Sequence, residues 1–251
     1  MRLTSLANPL VKDFAKLAEK KYRAESGLFW LEGAEYVARA AAAGWEMDNL
    51  VCEEESWIPA YAGMTPRGGV MVNKTVLSKI TGKTNPQPVL GVLKQRWHPL
   101  PSQPQGLWLA LDRVRDPGNL GTILRTADAV GAAGCILIGE STDPYSPECV
   151  RATVGSILHV PLVRCTEAEF VDWAKGKHVI GTHLNGAVDY RTLKPQGPCV
   201  LLMGNESAGL TDALAASCTQ LAKIPMVGHT ESLNLATSTA LMLYELRRAD
   251  L

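Results

Sequence analysis

The sequence carries neither an excess of charge nor a long apolar run, and each absence excludes a class of protein. Lys+Arg and Asp+Glu number 25 each, so no global basic field marks the whole chain as a nucleic-acid-binding protein. No segment has the length of a transmembrane helix, and residues 1–10 lack a cationic stretch followed by an apolar one. We therefore expect a cytoplasmic protein with no membrane partner.

The sequence also lacks the spacings that hold metals, disulfides and nucleotides. The cysteines lie far apart, and no His/Asp/Glu cluster has metal-ligand spacing. No glycine loop is followed by Gly-Lys-Ser/Thr, and no strict GxGxxG occurs. We predict no metal site. We also predict reduced, mostly buried thiols at Cys52, Cys135, Cys149, Cys165, Cys199 and Cys218.

A proline-rich stretch separates two regions. Three prolines within 99–106 predict a stiff linker that divides an N-terminal region, 1–98, from a C-terminal region, 107–251. Residues 1–100 carry thirteen basic and ten acidic side chains, whereas the remainder carries twelve and fifteen. This difference points to the N-terminal region as the one that faces an anionic partner such as RNA.

The N-terminal region has the pattern of a small α/β domain. A helix is predicted over 10–23, with apolar residues on one face and a basic side. Strands are predicted over 27–31, 50–52, 69–72 and 89–93, and further helices over 33–43 and 75–80. The stretch 53–69 has no periodicity and is predicted to be an irregular insertion.

The basic side of the first helix is a candidate RNA contact. A solvated helix face explains any single lysine equally well. The basic residues of this helix are Lys12, Lys16, Lys20, Lys21 and Arg23.

Apolar runs of strand length alternate with helical patterns through the C-terminal region. Continuous apolar strands between helices indicate a parallel sheet covered on both faces. Strands are predicted over 107–111, 135–138, 179–182, 200–203 and 221–224, and helices over 120–130, 147–154 and 233–248. In such sheets, ligand-binding groups collect in the loops after the carboxyl ends of strands.

The first polar loop, 112–131, follows the first of these strands. Asn119 and Gly121 stand near a helix start, and Arg125 follows on that helix. Free backbone N–H groups together with a guanidinium suit an anion such as a phosphodiester. A glycine-bearing turn with a surface arginine explains the same spacing equally well.

The second loop, 201–210, contains two glycines with an acidic residue between them. Gly204 and Gly209 permit tight turns that a side chain would block, which leaves room for a ligand at the main chain. Glu206 either orients a ribose hydroxyl or an arginine, or is a capping or solvated carboxylate at the next helix.

The third loop, 224–235, leads into a long helix. Ser232 and Asn234 are small hydrogen-bonding residues at its entry, where they serve either a ligand or the helix N-terminus. We assign no role to His229, since a lone histidine in a loop is commonly solvated. A hydrolase based on Ser232 would need a paired histidine and acid that the sequence does not supply.

Taken in order, the three loops resemble the three motifs of the SpoU (TrmH-like) methyltransferases of the SPOUT superfamily. The first motif is matched by Asn119, Gly121, Arg125, Ala127 and Gly131, the second by Gly204, Glu206, Gly209 and Leu210, and the third by Ile224, Pro225, Met226, Gly228, Ser232, Leu233 and Asn234. This match spans 107–248. The N-terminal region, which opens TSLANPLVKD and ends PQPVLGVL, resembles the small α/β RNA substrate-binding domain often fused to these enzymes, similar to certain ribosomal proteins.

The resemblance implies an enzyme that uses S-adenosylmethionine to methylate a ribose 2′-hydroxyl of ribosomal or transfer RNA, with ribosomal RNA favoured. It also implies a homodimer whose C-terminal α/β domain contains a deep trefoil knot. The residues implied to face the ribose are Asn119, Arg125, Glu206, Ser232 and Asn234. Those implied to hold the cofactor are Thr182, Met203, Gly204, Gly209, Ile224, Met226, Leu233 and Asn234.

One residue departs from the family pattern, and two other functions stay open. Family members often carry a serine two residues after the motif-three asparagine, where this chain has Ala236, so a polar contact there is lost or shifted. A non-catalytic RNA-binding or assembly protein would use the same fold. A knotted enzyme that methylates a base nitrogen is the other alternative.

Overall fold

The computed structural model describes residues 1–53, 69–184, 188–195 and 197–250. Contacts divide the chain into two compact units. The first consists of Met1–Gln95 and Tyr145–Arg151, and the second of Arg96–Pro144 and Ala152–Leu251. The irregular stretch predicted over 53–69 lies, apart from its two end residues, outside the described part of the chain.

The first unit is built on a mixed sheet in the order β1-β4-β3-β5-β2. Its strands are Arg2–Leu3 (β1), Leu28–Glu32 (β2), Met47–Glu53 (β3), Gly69–Val72 (β4) and Val89–Lys94 (β5). β4 pairs in parallel with β1 and β3, whereas β5 pairs antiparallel with β2 and β3. Strands β2 to β5 agree with the prediction, but the two-residue β1 is too short to give a pattern.

Helices cover both faces of this sheet. They are Pro9–Lys16 (α1), Lys20–Ser26 (α2), Ala34–Ala42 (α3) and Lys74–Thr81 (α4). Val51 belongs to the core cluster that includes residues of α1 and α4, whereas Leu50 belongs to the cluster that includes Val37 of α3. Neighbouring strand residues point to opposite faces, so the two clusters lie on opposite sides of the sheet. The second piece of this unit places the ring of Tyr145 against that of Phe29, with centroids 4.7 Å apart.

The single helix predicted over 10–23 is wrong, because the chain turns between α1 and α2. The backbone carbonyl of Leu17, at the end of α1, accepts a 2.7 Å hydrogen bond from the guanidinium of Arg23. Carbonyls at a helix end have no partner within the helix, so this contact satisfies one of them. Arg23 is only 3% exposed, which corrects its prediction as an RNA contact.

The second unit has a seven-stranded sheet, parallel throughout, in the order β10-β12-β9-β11-β6-β7-β8. Its strands are Leu107–Asp112 (β6), Gly134–Ile138 (β7), Leu162–Cys165 (β8), Val179–Thr182 (β9), Val188–Asp189 (β10), Cys199–Met203 (β11) and Gln220–Lys223 (β12). Every residue of β6, β7 and β11 is buried. The parallel sheet that the apolar runs predict is therefore confirmed.

The helices after β6 are Pro117–Ala129 (α5), Pro147–Thr153 (α6), Glu167–Ala174 (α7), Asp212–Ala216 (α8) and Leu235–Leu246 (α9). The prediction missed α7, although Thr166 and Glu169 form a capping box at its start, a signal visible in the sequence. Among the described residues, no helix is both long and apolar enough to cross a membrane.

Strands β12, β9, β11 and β6 are neighbours, so their carboxyl ends lie together at one edge of the sheet. The loops that follow β6, β11 and β12 contain the three polar motifs and leave the sheet at this edge. Two non-glycine residues, Arg113 and Val154, have left-handed backbones, with φ of 46° and 52°. Such values are uncommon outside glycine and carry strain.

The prediction of unpaired, mostly buried thiols is confirmed. All six cysteines are free, and only Cys218 is partly exposed. Burial raises the pKa of Cys52 to about 11 and that of Cys165 to about 12. These thiols remain protonated at neutral pH, which makes them structural residues and poor nucleophiles.

Candidate active site

The loop after β6 turns directly into α5. Asp116 caps this helix, since its Oδ1 accepts a 2.6 Å hydrogen bond from the backbone N–H of Asn119. Pro117 occupies the first helical position, where the missing N–H costs nothing. The cap fixes where Asn119 leaves the helix, so its side-chain amide lies at the carboxyl edge of the sheet.

Glu206, in the loop after β11, reaches across to this helix start. Its carboxylate accepts hydrogen bonds from the backbone N–H groups of Arg115 and Asp116 at 3.3–3.4 Å. It also accepts one from the side chain of Asn119 at 3.5 Å. A carboxylate is favourable before a helix N-terminus because the helix dipole is positive there. The alternative of a cap on the following helix is wrong, since Glu206 binds the start of α5.

Asn119 also contacts the third loop. Its Oδ1 accepts a 2.9 Å hydrogen bond from the side-chain amide of Asn234. Asn234 caps α9, because its own Oδ1 accepts hydrogen bonds from the N–H groups of Ala236 and Thr237. Residues Glu206, Asn119 and Asn234 therefore form one chain of hydrogen bonds, the three-loop network, which joins all three motifs.

The second loop folds back on itself. Asn205 and Gly209 exchange backbone hydrogen bonds of 3.0 and 3.1 Å. A Cβ on Gly204 would lie 2.5 Å from the carbonyl carbon of Gly209 and 2.6 Å from the nitrogen of Leu210. The loop itself fills the space beside the Cα of Gly204, so a residue with a side chain would not fit there.

The third loop offers a row of free backbone groups. Within the described part of the chain, no N–H group from Met226 to Leu233 donates to another backbone group. Thr182, at the end of the neighbouring β9, places its hydroxyl 3.6 Å from the sulfur of Met203 at the end of β11. These free donors beside apolar strand ends suit a nucleoside, which presents both polar edges and a flat apolar face.

A family model for the SpoU rRNA Methylase family matches residues 106–244, more than half of the chain. The chain belongs to this family. A second model, the MRM3-like substrate binding domain, matches residues 8–91. The motifs of the SpoU resemblance are thus confirmed as belonging to a SpoU protein with an N-terminal substrate-binding domain.

Several relatives match over nearly the whole chain. The 23S rRNA (guanosine(2553)-2'-O)-methyltransferase RlmP of Bacillus subtilis is 32% identical over 248 residues, covering 98% of this chain and 99% of the relative. An AdoMet-bound rRNA methyltransferase from Sinorhizobium meliloti is 46% identical with a TM-score of 0.94, covering 100% of this chain and 98% of that one. The SpoU methyltransferase AviRb from Streptomyces viridochromogenes, in complex with AdoMet, is 29% identical with a TM-score of 0.86, covering 97% and 98%.

Two predicted SpoU site residues stand apart from the three-loop network. Arg125 lies six residues after Asn119 on α5, is exposed, and makes no hydrogen bond or ion pair within the described residues. Ser232 is exposed, and its backbone carbonyl accepts a 2.9 Å hydrogen bond from Thr230. Both side chains are free to meet a substrate.

Sequence reasoning missed one residue that shapes the SpoU site. Asn205 accepts hydrogen bonds from the N–H groups of Ser207 and Ala208 at its Oδ1 and donates to the carbonyl of Arg113 from its Nδ2 at 2.8 Å. A Gly-Asn-Glu turn is the available signal, because asparagine side chains commonly bond to the backbone two residues ahead.

The Ala236 departure changes one polar contact. Ala236 is buried and its N–H bonds to Asn234, so a hydroxyl at its side chain is not needed for the cap. Two residues later, the hydroxyl of Ser238 donates a 2.9 Å hydrogen bond to the carbonyl of Asn234. A serine thus contacts Asn234 from position 238, about half a helical turn after Ala236.

We predict that Asn119 and Asn234 are energetically coupled. In a double-mutant cycle, Asn119→Ala and Asn234→Ala should show a coupling free energy of unfolding of about 0.5–1 kcal/mol, the value of one hydrogen bond between loops. Urea unfolding of the two single variants and the double variant measures it.

Asn8→Ala is the matched control, since Asn8 caps α1 of the first unit through a 2.9 Å bond from the N–H of Leu10. It should lose a cap worth about 1 kcal/mol yet show no coupling to Asn119→Ala. Zero coupling between Asn119 and Asn234 would mean that the loops are not joined in solution.

Proposed function

We propose that this chain transfers the methyl group of S-adenosylmethionine to a ribose 2′-hydroxyl of ribosomal RNA. The observation that carries the proposal is the three-loop network, which ties the three SpoU motifs together at the carboxyl edge of the parallel sheet. The printed names of relatives support the substrate class. The relative from Bacillus subtilis acts on a guanosine 2′-oxygen of 23S rRNA, and one from Streptomyces viridochromogenes on a uridine 2′-oxygen of 23S rRNA.

The cofactor would lie against the ends of β9, β11 and β12. Two relatives with solved structures contain AdoMet, which supports S-adenosylmethionine as the cofactor here. When bound, it supplies an activated methyl group on a sulfonium. The free backbone groups of the third loop would bind its nucleoside. The residues proposed to hold it are Thr182, Met203, Gly204, Gly209, Ile224, Met226, Leu233 and Asn234.

The protein residues have to orient the ribose and remove one proton. A hydroxyl is a weak nucleophile until its proton is withdrawn, and a guanidinium cannot act as a base because it stays protonated. Arg125 therefore binds the phosphate next to the acceptor ribose and polarises its hydroxyl. The proton leaves through Glu206 or water, while Asn119, Ser232 and Asn234 hold the sugar. Alignment of this kind lowers the barrier by removing the entropic cost of bringing the reacting groups together.

The family's trefoil knot is the second part of the proposal. α9 follows β12 in the chain, yet it packs against α5 and against the 3₁₀ turn Tyr190–Thr192, both of which precede β12. A trefoil knot requires the chain end to pass through a loop of earlier chain, and the contacts of α9 with two earlier segments are compatible with such a path. The strand order, in which β11 and β12 enter between strands formed earlier, agrees with it.

A homodimer is the third part, with α9 at the interface. Leu241 and Tyr244 on this helix are 38% and 51% exposed. They line a groove of about 690 Å³ between α5 and α9, together with Thr126 and Ala240. An exposed apolar surface favours association. A second copy presents the same side chains, as a two-fold interface requires.

RNA contacts are proposed for the basic residues that remain exposed in the first unit. Lys12 and Lys20 are exposed and Lys16 is half-exposed beside Asp13, whereas Arg23 is buried and leaves the set. An enzyme with this substrate works where ribosomal RNA is processed, and we place it in the cytoplasm.

Methyl transfer tests the function. The protein, ribosomal RNA and S-adenosylmethionine with a labelled methyl group should yield labelled 2′-O-methylnucleoside in a digest of the RNA. Arg125→Ala should lower transfer by roughly 10²-fold or more, because the substrate loses its alignment, while cofactor affinity by calorimetry stays nearly unchanged.

Arg164→Ala is the control. Arg164 is an exposed arginine on the edge strand β8, and its guanidinium stacks 3.9 Å from the ring centre of Trp97. It should transfer methyl groups normally. Label on a base would support the knotted base methyltransferase instead, and no cofactor binding would support the non-catalytic protein. Near-normal turnover by Arg125→Ala would refute the role of that residue.

The lysines are tested by the salt dependence of RNA affinity. Replacing Lys12, Lys16 and Lys20 together by Ala should lower the slope of the logarithm of the RNA association constant against the logarithm of salt concentration by about 2–3. Each lost contact between a lysine and a phosphate removes roughly 0.7–0.9 from this slope. Lys175 is an exposed lysine paired with Asp172 of α7, and Lys175→Ala should leave the slope unchanged. An unchanged slope in the triple variant would show that this helix face is only solvated.

A further inference from the structure

An ion pair between a buried carboxylate and a partly exposed guanidinium stands at the end of β6, immediately before the first SpoU motif. The side chain of Asp112 is 1% exposed, and the guanidinium of the next residue, Arg113, folds back onto it. Nε donates to Oδ1 and Nη2 to Oδ2, both at 2.8 Å. A buried carboxylate without donors is costly, and this two-point contact supplies Asp112 with two of them.

The backbone of Arg113 is strained in the same place. Its φ of 46° lies in the left-handed region, where glycine is the usual residue. Its N–H donates to the carbonyl of Ile138 at 3.0 Å, which anchors the turn to β7. A Cβ on Gly139 would lie 3.1 Å from Cγ of Arg113, so the absence of a side chain there leaves room for the arginine.

The turn that results holds both key residues of the second motif. The carbonyl of Arg113 accepts the 2.8 Å hydrogen bond from Asn205, whose Oδ1 shapes the loop 205–209. Two and three residues later, the N–H groups of Arg115 and Asp116 bind the carboxylate of Glu206. A single short segment thus engages Asn205 through its carbonyl and Glu206 through its amides.

We propose that Arg113 is a positioning residue for methyl transfer, and that its ion pair with buried Asp112 holds the segment 113–116 in the conformation that engages Asn205 and Glu206 together. The proposal rests on the proposed function for its kinetic consequence only. Its structural consequence, a displaced Glu206, is measured without substrate or cofactor.

The ion pair between Arg113 and Asp112 restricts the backbone conformation, which a glycine at position 113 would not do. Glycine adopts φ of 46° without strain, but it offers no donor to Asp112 and allows many other conformations. The hydrogen bond to Asp112 raises the pKa of Arg113, as the contact of a guanidinium with a carboxylate should. The strain is therefore offset by the ion pair, and the segment is rigid where the site needs it to be.

Arg113→Gly tests the proposal, because it keeps φ of 46° accessible, removes the ion pair and leaves the segment free to adopt other conformations. We expect kcat to fall roughly 10- to 100-fold, as for a catalytic group displaced by about 1 Å, with KM for S-adenosylmethionine changed by less than about threefold. In NMR spectra of the free protein, the amide signals of Arg115 and Asp116 should shift as they do in Glu206→Gln.

Val154→Gly is the matched control, since Val154 has the same left-handed backbone without an ion pair. It relieves strain alone and should leave kcat and both amide signals unchanged. The double variant Asp112→Asn/Arg113→Gly removes the uncompensated charge. The double variant should regain the stability that Arg113→Gly loses, but its kcat should stay as low as that of Arg113→Gly. This result would show that the loss of kcat comes from positioning and not from lower stability.

Two results would overturn the proposal: unshifted amide signals in Arg113→Gly, or a double variant that recovers full kcat along with stability. Failure of the proposed function has a different signature. In that case the wild-type protein would methylate no ribose, while the amide shifts of Arg113→Gly would still appear.

Discussion

The hydrogen bonds that Asn119 makes to Glu206 and Asn234 are the contacts on which the site depends. Asn119 and Glu206 are 87 residues apart in the chain, and Asn234 follows Glu206 by a further 28 residues, so nothing local brings the three side chains together. The parallel sheet places their loops at one edge, and the three-loop network then fixes them relative to one another. Without this network the loops would be neighbours but not a site.

The helix starts supply the electrostatics of this arrangement. Glu206 meets the backbone N–H groups before α5, and Asn234 caps α9, so two helix N-termini are aimed at the same edge of the sheet. The positive ends of helix dipoles favour an anion, and an RNA backbone brings one with every nucleotide. The exposed guanidinium of Arg125 adds a full positive charge without a partner in the protein among the described residues. Under the proposed function, a phosphate of the RNA would be the partner of this charge.

Much of this fold follows from patterns in the sequence, and the failures have physical causes. Strands β6, β7 and β11 are continuous apolar runs, so burial on both faces and parallel pairing follow from composition. The helix predicted over 10–23 has an unbroken apolar face, yet the chain turns at Leu17. The contact that permits the turn, from Arg23 to the Leu17 carbonyl, is tertiary and leaves no periodic signal.

Some features of the site can likewise be predicted from the sequence, and others cannot. The motif residues Asn119, Glu206 and Asn234 are recognisable from their order and spacing, and the structure joins them. The sequence indicates that a side chain is excluded at Gly204, but it does not indicate that the backbone of Gly209 and Leu210 is what excludes it. The contribution of Asn205 and the strained Arg113 depends on contacts across ninety residues, which spacing cannot indicate.

A crystal structure of the protein with S-adenosylhomocysteine and a short ribosomal RNA fragment would test the central claim most directly. We predict that the nucleoside lies on the backbone of residues 224–233 beside Met203, and that one ribose 2′-oxygen points at the sulfur from the side of Arg125 and Glu206. A cofactor bound elsewhere, or an RNA base in place of the ribose oxygen, would contradict the account.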